Sequence, residues 1–135
     1  MSSIAKISIF LFLFTISCYQ SFGQIINPTH LAYIGGIESG SVRRGFFLAQ
    51  EGVGAMRKIT AEHWEHITVD SFSVIIKRDI SVAYQYKNKG NLFEEGLQTI
   101  FKDLRVNDIV LIFNINATDL DRKSVYLSPL EYKIE

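Results

Sequence analysis

The sequence predicts a mainly β fold, with α+β as the variant: an antiparallel β-sandwich-like domain carrying one amphipathic helix and one short helix. Three observations point there. Apolar and polar residues alternate from Ile67, where Phe72, Val74 and Ile76 oppose Ser71, Ser73 and Lys77, and again where Val82, Tyr84 and Tyr86 oppose Ala83, Gln85 and Lys87. A strong helical period occurs in a single segment, Phe93 to Leu104. The strands do not alternate regularly with helices, which favours an antiparallel α+β or sandwich-like sheet.

Composition narrows the function classes. With 135 residues the chain has room for one domain, and 47% hydrophobic against 21% charged residues with two prolines describes a globular protein. Fourteen Lys and Arg balance 14 Asp and Glu. Nucleic-acid binding relies on clustered cations to neutralise phosphates, so a polyanion is not the expected partner.

The N-terminus reads as a targeting segment. Lys6 precedes the apolar run Ile7 to Ile16, and Ser21-Phe22-Gly23 places small residues where a signal peptidase cuts. The run is about ten residues, whereas a membrane span needs roughly 20, so no transmembrane anchor is expected. Residues 1–23 are expected to be a signal peptide, 24–30 an N-terminal extension and 31–135 the domain, delivered to the periplasm or the outside. Thr15-Ile16-Ser17-Cys18 has the outline of a lipobox, but position 15 lacks the usual Leu, which disfavours a lipid anchor at Cys18. Removing residues 1–23 takes away Lys6 and the lone cysteine, leaving about one net negative charge and no possible disulfide. Stability must then come from buried apolar surface.

The elements follow in order. Leu31 to Ile34 reads as a strand and Gly35-Gly36-Ile37-Glu38-Ser39-Gly40 as a loop. Ser41 is placed to cap a short helix from Val42 to about Gln50, weakened by Gly45 and ended by Gly52-Val53-Gly54-Ala55. Met56 to His66 shows no clear period and reads as a mixed connection. The two alternating strands come next, separated at Asp79-Ile80 and closed by Asn88-Lys89-Gly90, and are expected to pair antiparallel. Asn91 with Glu94 resembles a capping box for the amphipathic helix, within which Gly96 suggests a close approach to other backbone. After Asn107-Asp108, the run Ile109 to Ile115 is apolar at nearly every position, as expected of a central strand covered on both faces. Asn116 to Lys123 is a polar hairpin-like connection. Ser124 to Leu127 and Leu130 to Ile134 are short strands interrupted by Pro129, with Leu130, Tyr132 and Ile134 on one side. There is no internal repeat.

Several motifs invite a chemical reading. Gly35 to Ser41 has the glycine spacing of a phosphate loop, but the lysine that neutralises phosphate is missing and Glu38 would repel it, which leaves a tight chain reversal. Glu62-His63-Trp64-Glu65-His66 concentrates metal-ligating side chains. A zinc-protease helix, however, needs histidines four apart, His63 and His66 are three apart, and His30 is the only other imidazole. The structural alternative tucks Trp64 into the core and leaves the polar residues in solvent. No serine occupies a Gly-x-Ser-x-Gly elbow; Ser39 comes closest, displaced by one position. Arg43-Arg44 and Lys77-Arg78 are cation pairs suited to a solvated face or an acidic partner. Tyr33, Tyr84, Tyr86, Tyr126 and Tyr132 could serve a protein-binding patch or core packing.

The ordered set Tyr33-Ile34-Gly35-Gly36, Ser39-Gly40-Ser41, Gly52-Val53-Gly54-Ala55, Val69 to Val74, Asn88 to Phe93, Asn107-Asp108 and Ser128 to Ile134 resembles the C-terminal domain of the gliding-motility protein GldM, over residues 31 to 135. The resemblance implies a distal, β-rich periplasmic domain of the type IX secretion and gliding machinery of Bacteroidota, one that contacts other proteins; with no credible cofactor loop in the sequence, no cofactor is expected. Two turns depart from the family pattern: Asn107 stands where a glycine is usual, and Asp119-Leu120-Asp121 where Asp-Gly is usual.

The expectation is a non-catalytic binding or adaptor module whose partners are other cell-envelope proteins, including type IX secretion components. Exposed loops at sheet ends commonly carry recognition, which points to Ser39, Arg43 and Arg44 in and after the glycine loop and to Asp119, Asp121 and Arg122 in the hairpin. The rival expectation is a small periplasmic metal-dependent enzyme using His63 and His66 with Glu62 or Glu65.

Overall fold

Alternation at period two governs most of the chain in the computed structural model, which describes residues 29–135. The expected signal peptide and Cys18 lie outside those residues. The strands are β1 (His30–Tyr33), β2 (Gly40–Val42), β3 (Gly54–Thr60), β4 (His63–Arg78) and β5 (Ser81–Lys89), then β6 (Ile109–Thr118), β7 (Ser124–Leu127) and β8 (Leu130–Ile134). A 3₁₀ turn, Phe47–Ala49, and one helix, α1 (Glu95–Lys102), complete the elements. The architecture is mainly β, as the alternation predicts.

The strands form one curled sheet in the order β1-β3-β4-β6-β8-β2, with β5 added to β4 and β7 added to β6. The branching follows from length. The first part of β4 pairs with β3 (Ala55↔Ile67) and its second part with β5 (Val74↔Tyr86). β6 does the same, meeting β8 first (Val110↔Tyr132) and β7 later (Ala117↔Val125). All pairings are antiparallel except β2 with β8, which run parallel, so the sheet is mixed and departs from the antiparallel expectation at one edge.

Two register shifts let these long strands serve both ends. Between Val69 and Ser71 the extra residue is Asp70, and between the partners of Ser71 and Ser73 it is in the Asn114 region, where Asn114 has φ 49°. A bulge reverses which side chains point inward. In β4 the buried positions change from Val69 to Phe72, Val74 and Ile76; in β6 they change from Val110 and Ile112 to Ile115 and Ala117. Both halves of each strand thus face the core, and the added twist curls the sheet.

Aromatic side chains fill the hollow. Phe47 stacks on Phe101 at 4.7 Å, Phe93 meets Phe101 edge-on at 5.0 Å, and Phe47 meets Tyr132 edge-on at 5.4 Å. Each such burial is worth about 1.5–3 kcal/mol of transfer free energy. Leu130, Tyr132 and Ile134 are all buried, as their spacing predicts.

Several sequence expectations are corrected. Val42 to Gln50 is not an α-helix: Val42 ends β2, paired with Ile134, and only the 3₁₀ turn follows, placing Phe47 in the core. Met56 to His66 is a hairpin of β3 and β4; its period is hidden because many of its side chains lie in solvent. Trp64 stands only half-buried on β4, outside the core cluster. The cap of α1 is not Asn91: Glu94 is the N-cap residue, and its amide donates to Asn88 Oδ1 at 2.9 Å. Asn88 is buried and its Nδ2 donates to the carbonyls of Lys89, Gly90 and Leu92, so it organises the whole β5–α1 turn. Gly96 makes room for the Tyr86 ring instead of a backbone. The true backbone approach is at Gly52, where a Cβ would collide with the Asn91 carbonyl. Finally, the two faces of β6 differ: Val110 and Ile112 are buried, whereas Ile109, Leu111 and Phe113 on the other face are only partly so.

Candidate functional site

His30 bonds the base of one loop singled out by sequence and lines a cavity beside the other. This residue opens β1, and its imidazole is 1% exposed. Its Nε2 lies 3.0 Å from Asp119 Oδ2 and its Nδ1 3.1 Å from Thr29 Oγ1. An ionised carboxylate only accepts, so Nε2 donates to Asp119. Asp119 Oδ1 accepts from Arg57 Nη1 at 3.2 Å and from the Leu120 amide at 2.7 Å. Burial works against the charge on Asp119, and the Leu120 amide, His30 and Arg57 outweigh it, holding the carboxyl below its ordinary value.

The hairpin grows from this anchor. Asp119 N donates to Lys123 O at 2.8 Å and Arg122 N to Asp119 O at 2.9 Å, with Arg122 in the left-handed region at φ 69°. Leu120, Asp121 and Arg122 form the exposed tip, and Asp121 Oδ1 accepts from Lys123 N. Of the hairpin candidates, Asp121 and Arg122 face solvent, whereas Asp119 turns inward at 9% exposure and acts as the anchor.

The glycine loop is the tight reversal its sequence predicts. Ile34 and Ile37 exchange backbone hydrogen bonds of 2.9 and 3.1 Å around Gly35 and Gly36, both at positive φ. Tyr132 fixes the turn from below by donating to Ile37 O, and Ser39 Oγ accepts from the Glu131 amide at 3.2 Å. Burial pushes the Tyr132 phenol up to about 12. Arg43 and Arg44 follow β2 and are exposed. Between this loop, β1 and the β7–β8 turn lies a cavity of about 260 Å³ lined by His30, Glu38, Ser39, Ser128, Pro129 and Leu130, among others.

Ser39, His30 and Asp119 thus gather at one end of the domain, but not as a nucleophile, base and orienting acid. Both imidazole nitrogens are engaged, and a base needs a free lone pair aimed at the hydroxyl. The imidazole instead ties β1 to the base of the hairpin, while Ser39 ties the glycine loop to β8.

The histidine segment has a different fate. Glu62 lies in the turn before β4, while His63 and His66 are both on that strand, where alternate side chains point to opposite faces. His63 Nε2 meets Glu65 Oε2 at 3.0 Å on one face, and His66 Nδ1 meets the Tyr33 hydroxyl at 3.2 Å on the other. They do not share one ion. Among the described residues no group of three or more His, Cys, Asp or Glu is disposed to hold a metal.

Other candidates are dispersed. Tyr84 donates to Asp103 and Tyr86 to Glu94, so both tie β5 to α1, and Tyr132 is in the core. Arg78 belongs to an ion pair with the buried Asp108 and not to a solvated face. Sequence reasoning missed Arg57, Asp108 and the anchoring role of His30. A histidine beside the apolar Leu31-Ala32 was the one local signal for burial; its partner is 89 residues away.

Among the described residues no helix is long and apolar enough to cross a membrane. Compared with protein-family models and with curated proteins, the chain matches none.

Proposed function

We propose that the chain is an exported, non-catalytic binding or adaptor module of the cell envelope, similar to the distal periplasmic domain of GldM and serving type IX secretion or gliding motility. The observation that carries this reading is that both loops are pinned at their bases, the hairpin through Asp119 to His30 and the glycine loop through Ile37 and Ser39 to Tyr132 and Glu131 of β8. Two exposed loops are thereby presented at low entropic cost. Ser39, Arg43 and Arg44 form one arm of the contact surface and Asp121 and Arg122 the other. The exposed arginine pair suits acidic surface on the partner.

Recovery of interacting proteins from envelope extracts at moderate salt tests the proposal. Wild-type protein is expected to retain a defined type IX secretion component, and the double variant Arg43→Glu, Arg44→Glu to lose it with an unchanged thermal midpoint. Recovery of no specific protein, or of the same protein by both forms, counts against the assignment. Intact-mass measurement of the exported form is expected to give a chain beginning at Gln24.

A further inference from the structure

The sheet carries a second surface that the loops do not use. On the face of β6 opposite the buried Val110 and Ile112, the side chains of Ile109, Leu111 and Phe113 stand in a row, with Ile75 of β4 directly beside Leu111. All four are only half-buried. None of the four belongs to the buried core cluster or to the side chains packed against it.

Lysines stand on both sides of the row, on the β8 side next to Glu131. Lys77 of β4 and Lys133 of β8 are the register partners of Ile109. Lys87 and Lys89 of β5 sit opposite Ser73 and Ser71 of β4. All four lysines are exposed, and among the described residues none of them is in an ion pair. The acids nearby are Glu131, opposite Leu111; Asp70, whose carboxylate accepts from the Thr118 hydroxyl; and Glu135, which follows β8. The margins along β5 and β4 are thus cationic, and the stems of the lysines extend the apolar ground between them.

We infer that this face receives an acidic amphipathic helix of a partner protein. The inference rests on the reading of the chain as a contact-making module and adds a surface separate from the loops. From β5 to β8 is three strand spacings, roughly 14 Å, and a helix with its side chains is about 10–12 Å across. A helix lying along β6 would place an apolar stripe on Ile75, Leu111 and Phe113 and its flanking carboxylates beside Lys87 and Lys133. Other occupants fit less well. A second copy offering the same face brings lysine against lysine. The chain's own apolar run, Ile7 to Ile16, has Lys6 as its neighbouring charge, of the same sign as the margins. Membrane docking needs bulky groups that insert about 5–10 Å, whereas these side chains are already half-buried between their neighbours.

The test titrates the full chain with a helical peptide of Leu and Glu, about 18 residues long, with its Lys-for-Glu counterpart, and with phosphatidylglycerol vesicles, following backbone amide shifts. The Glu peptide is expected to bind and to shift Ile75, Leu111 and Phe113, and the Lys peptide to leave them unmoved. Lys87→Glu with Lys133→Glu is expected to weaken the Glu peptide about tenfold or more without changing the thermal midpoint. Arg43→Glu with Arg44→Glu is expected to leave peptide binding intact. Absence of Glu-peptide binding, equal binding of both peptides, no effect of the lysine reversals, loss on reversing the arginines, or binding to vesicles alone each overturns the inference. The partner-recovery experiment on the loops is read independently of any of these results.

Discussion

Arg78 and Asp108, 30 residues apart, meet in a two-pronged ion pair: Nε to Oδ1 at 3.0 Å and Nη2 to Oδ2 at 2.9 Å. Asp108 is 1% exposed, and its Oδ2 also accepts from the Arg105 amide. Arg78 reaches further, donating to the Asp103 carbonyl at the end of α1. One guanidinium therefore joins the end of β4, the end of α1 and the start of β6.

Removing one partner of this pair is expected to cost more than removing both. Asp108→Ala leaves the guanidinium and the Arg105 amide without their acceptor and is expected to destabilise by about 3 kcal/mol. The double replacement Arg78→Met with Asp108→Leu is expected to recover much of that loss. Urea unfolding of the single and double variants checks the coupling.

Acid sensitivity follows from the same pair and from Asp119. Burial raises both carboxyls, and their bonds to Arg78 and the Arg105 amide, and to the Leu120 amide, His30 and Arg57, more than compensate, so both lie below 3.8 in the folded chain. A depressed folded value contributes stability that is present above the unfolded value and is lost as pH falls through the folded one. Stability is expected to fall below the unfolded value near 3.8. Asn at both positions is expected to flatten that acid limb in chemical denaturation.

At the alkaline end the sign reverses. Burial pushes the Tyr132 phenol up from 10.0 to about 12, so its neutral form adds stability that is present below 10.0 and lost as pH rises toward 12. Tyr132→Phe is expected to remove this alkaline loss and to cost about 1 kcal/mol at neutral pH, for the bond to Ile37 O. Denaturation midpoints across this range decide it.

Two glycines separate rigid from yielding neighbours. Alanine at Gly52 meets the Asn91 carbonyl in a backbone bridge and is expected to cost about 2 kcal/mol. At Gly96 the obstacle is the Tyr86 ring, which can turn, and Ala gains about 1 kcal/mol in helix propensity. The net change there is expected to stay within about 1 kcal/mol, as thermal melts of the two variants will report.

Releasing His30 is expected to loosen the hairpin selectively. His30→Ala leaves Asp119 with Arg57 and the Leu120 amide but without its buried donor. Amide hydrogen exchange in Asp119 to Lys123 is expected to quicken more than in β5.

What could be read from the chain and what could not divide along physical lines. Strands with one buried face announce themselves, as do Tyr84 and Tyr86 of β5 and Leu130, Tyr132 and Ile134 of β8. Helix α1 was visible through Leu97 and Phe101, although Phe93 and Leu104, which share its period, pack from outside its ends. The β3–β4 hairpin stayed hidden because Arg57, Lys58, His63 and Glu65 are shaped by neighbours and solvent, not by a core. The glycine turn and the hairpin were locally encoded as loops. What pins them was not, since the pairings of His30 with Asp119 and of Tyr132 with Ile37 exist only after the sheet has curled.

The inserted residue at Asn114 acts as a phase marker for everything after it. Were the strand to run on without that bulge, with every residue kept, Ile115 and Ala117 would face water and Asn116 and Thr118 would turn inside, although no core residue had been touched. An added residue elsewhere in β6 would break that phase, whereas the exposed tip at Asp121 and Arg122 has no buried face to lose.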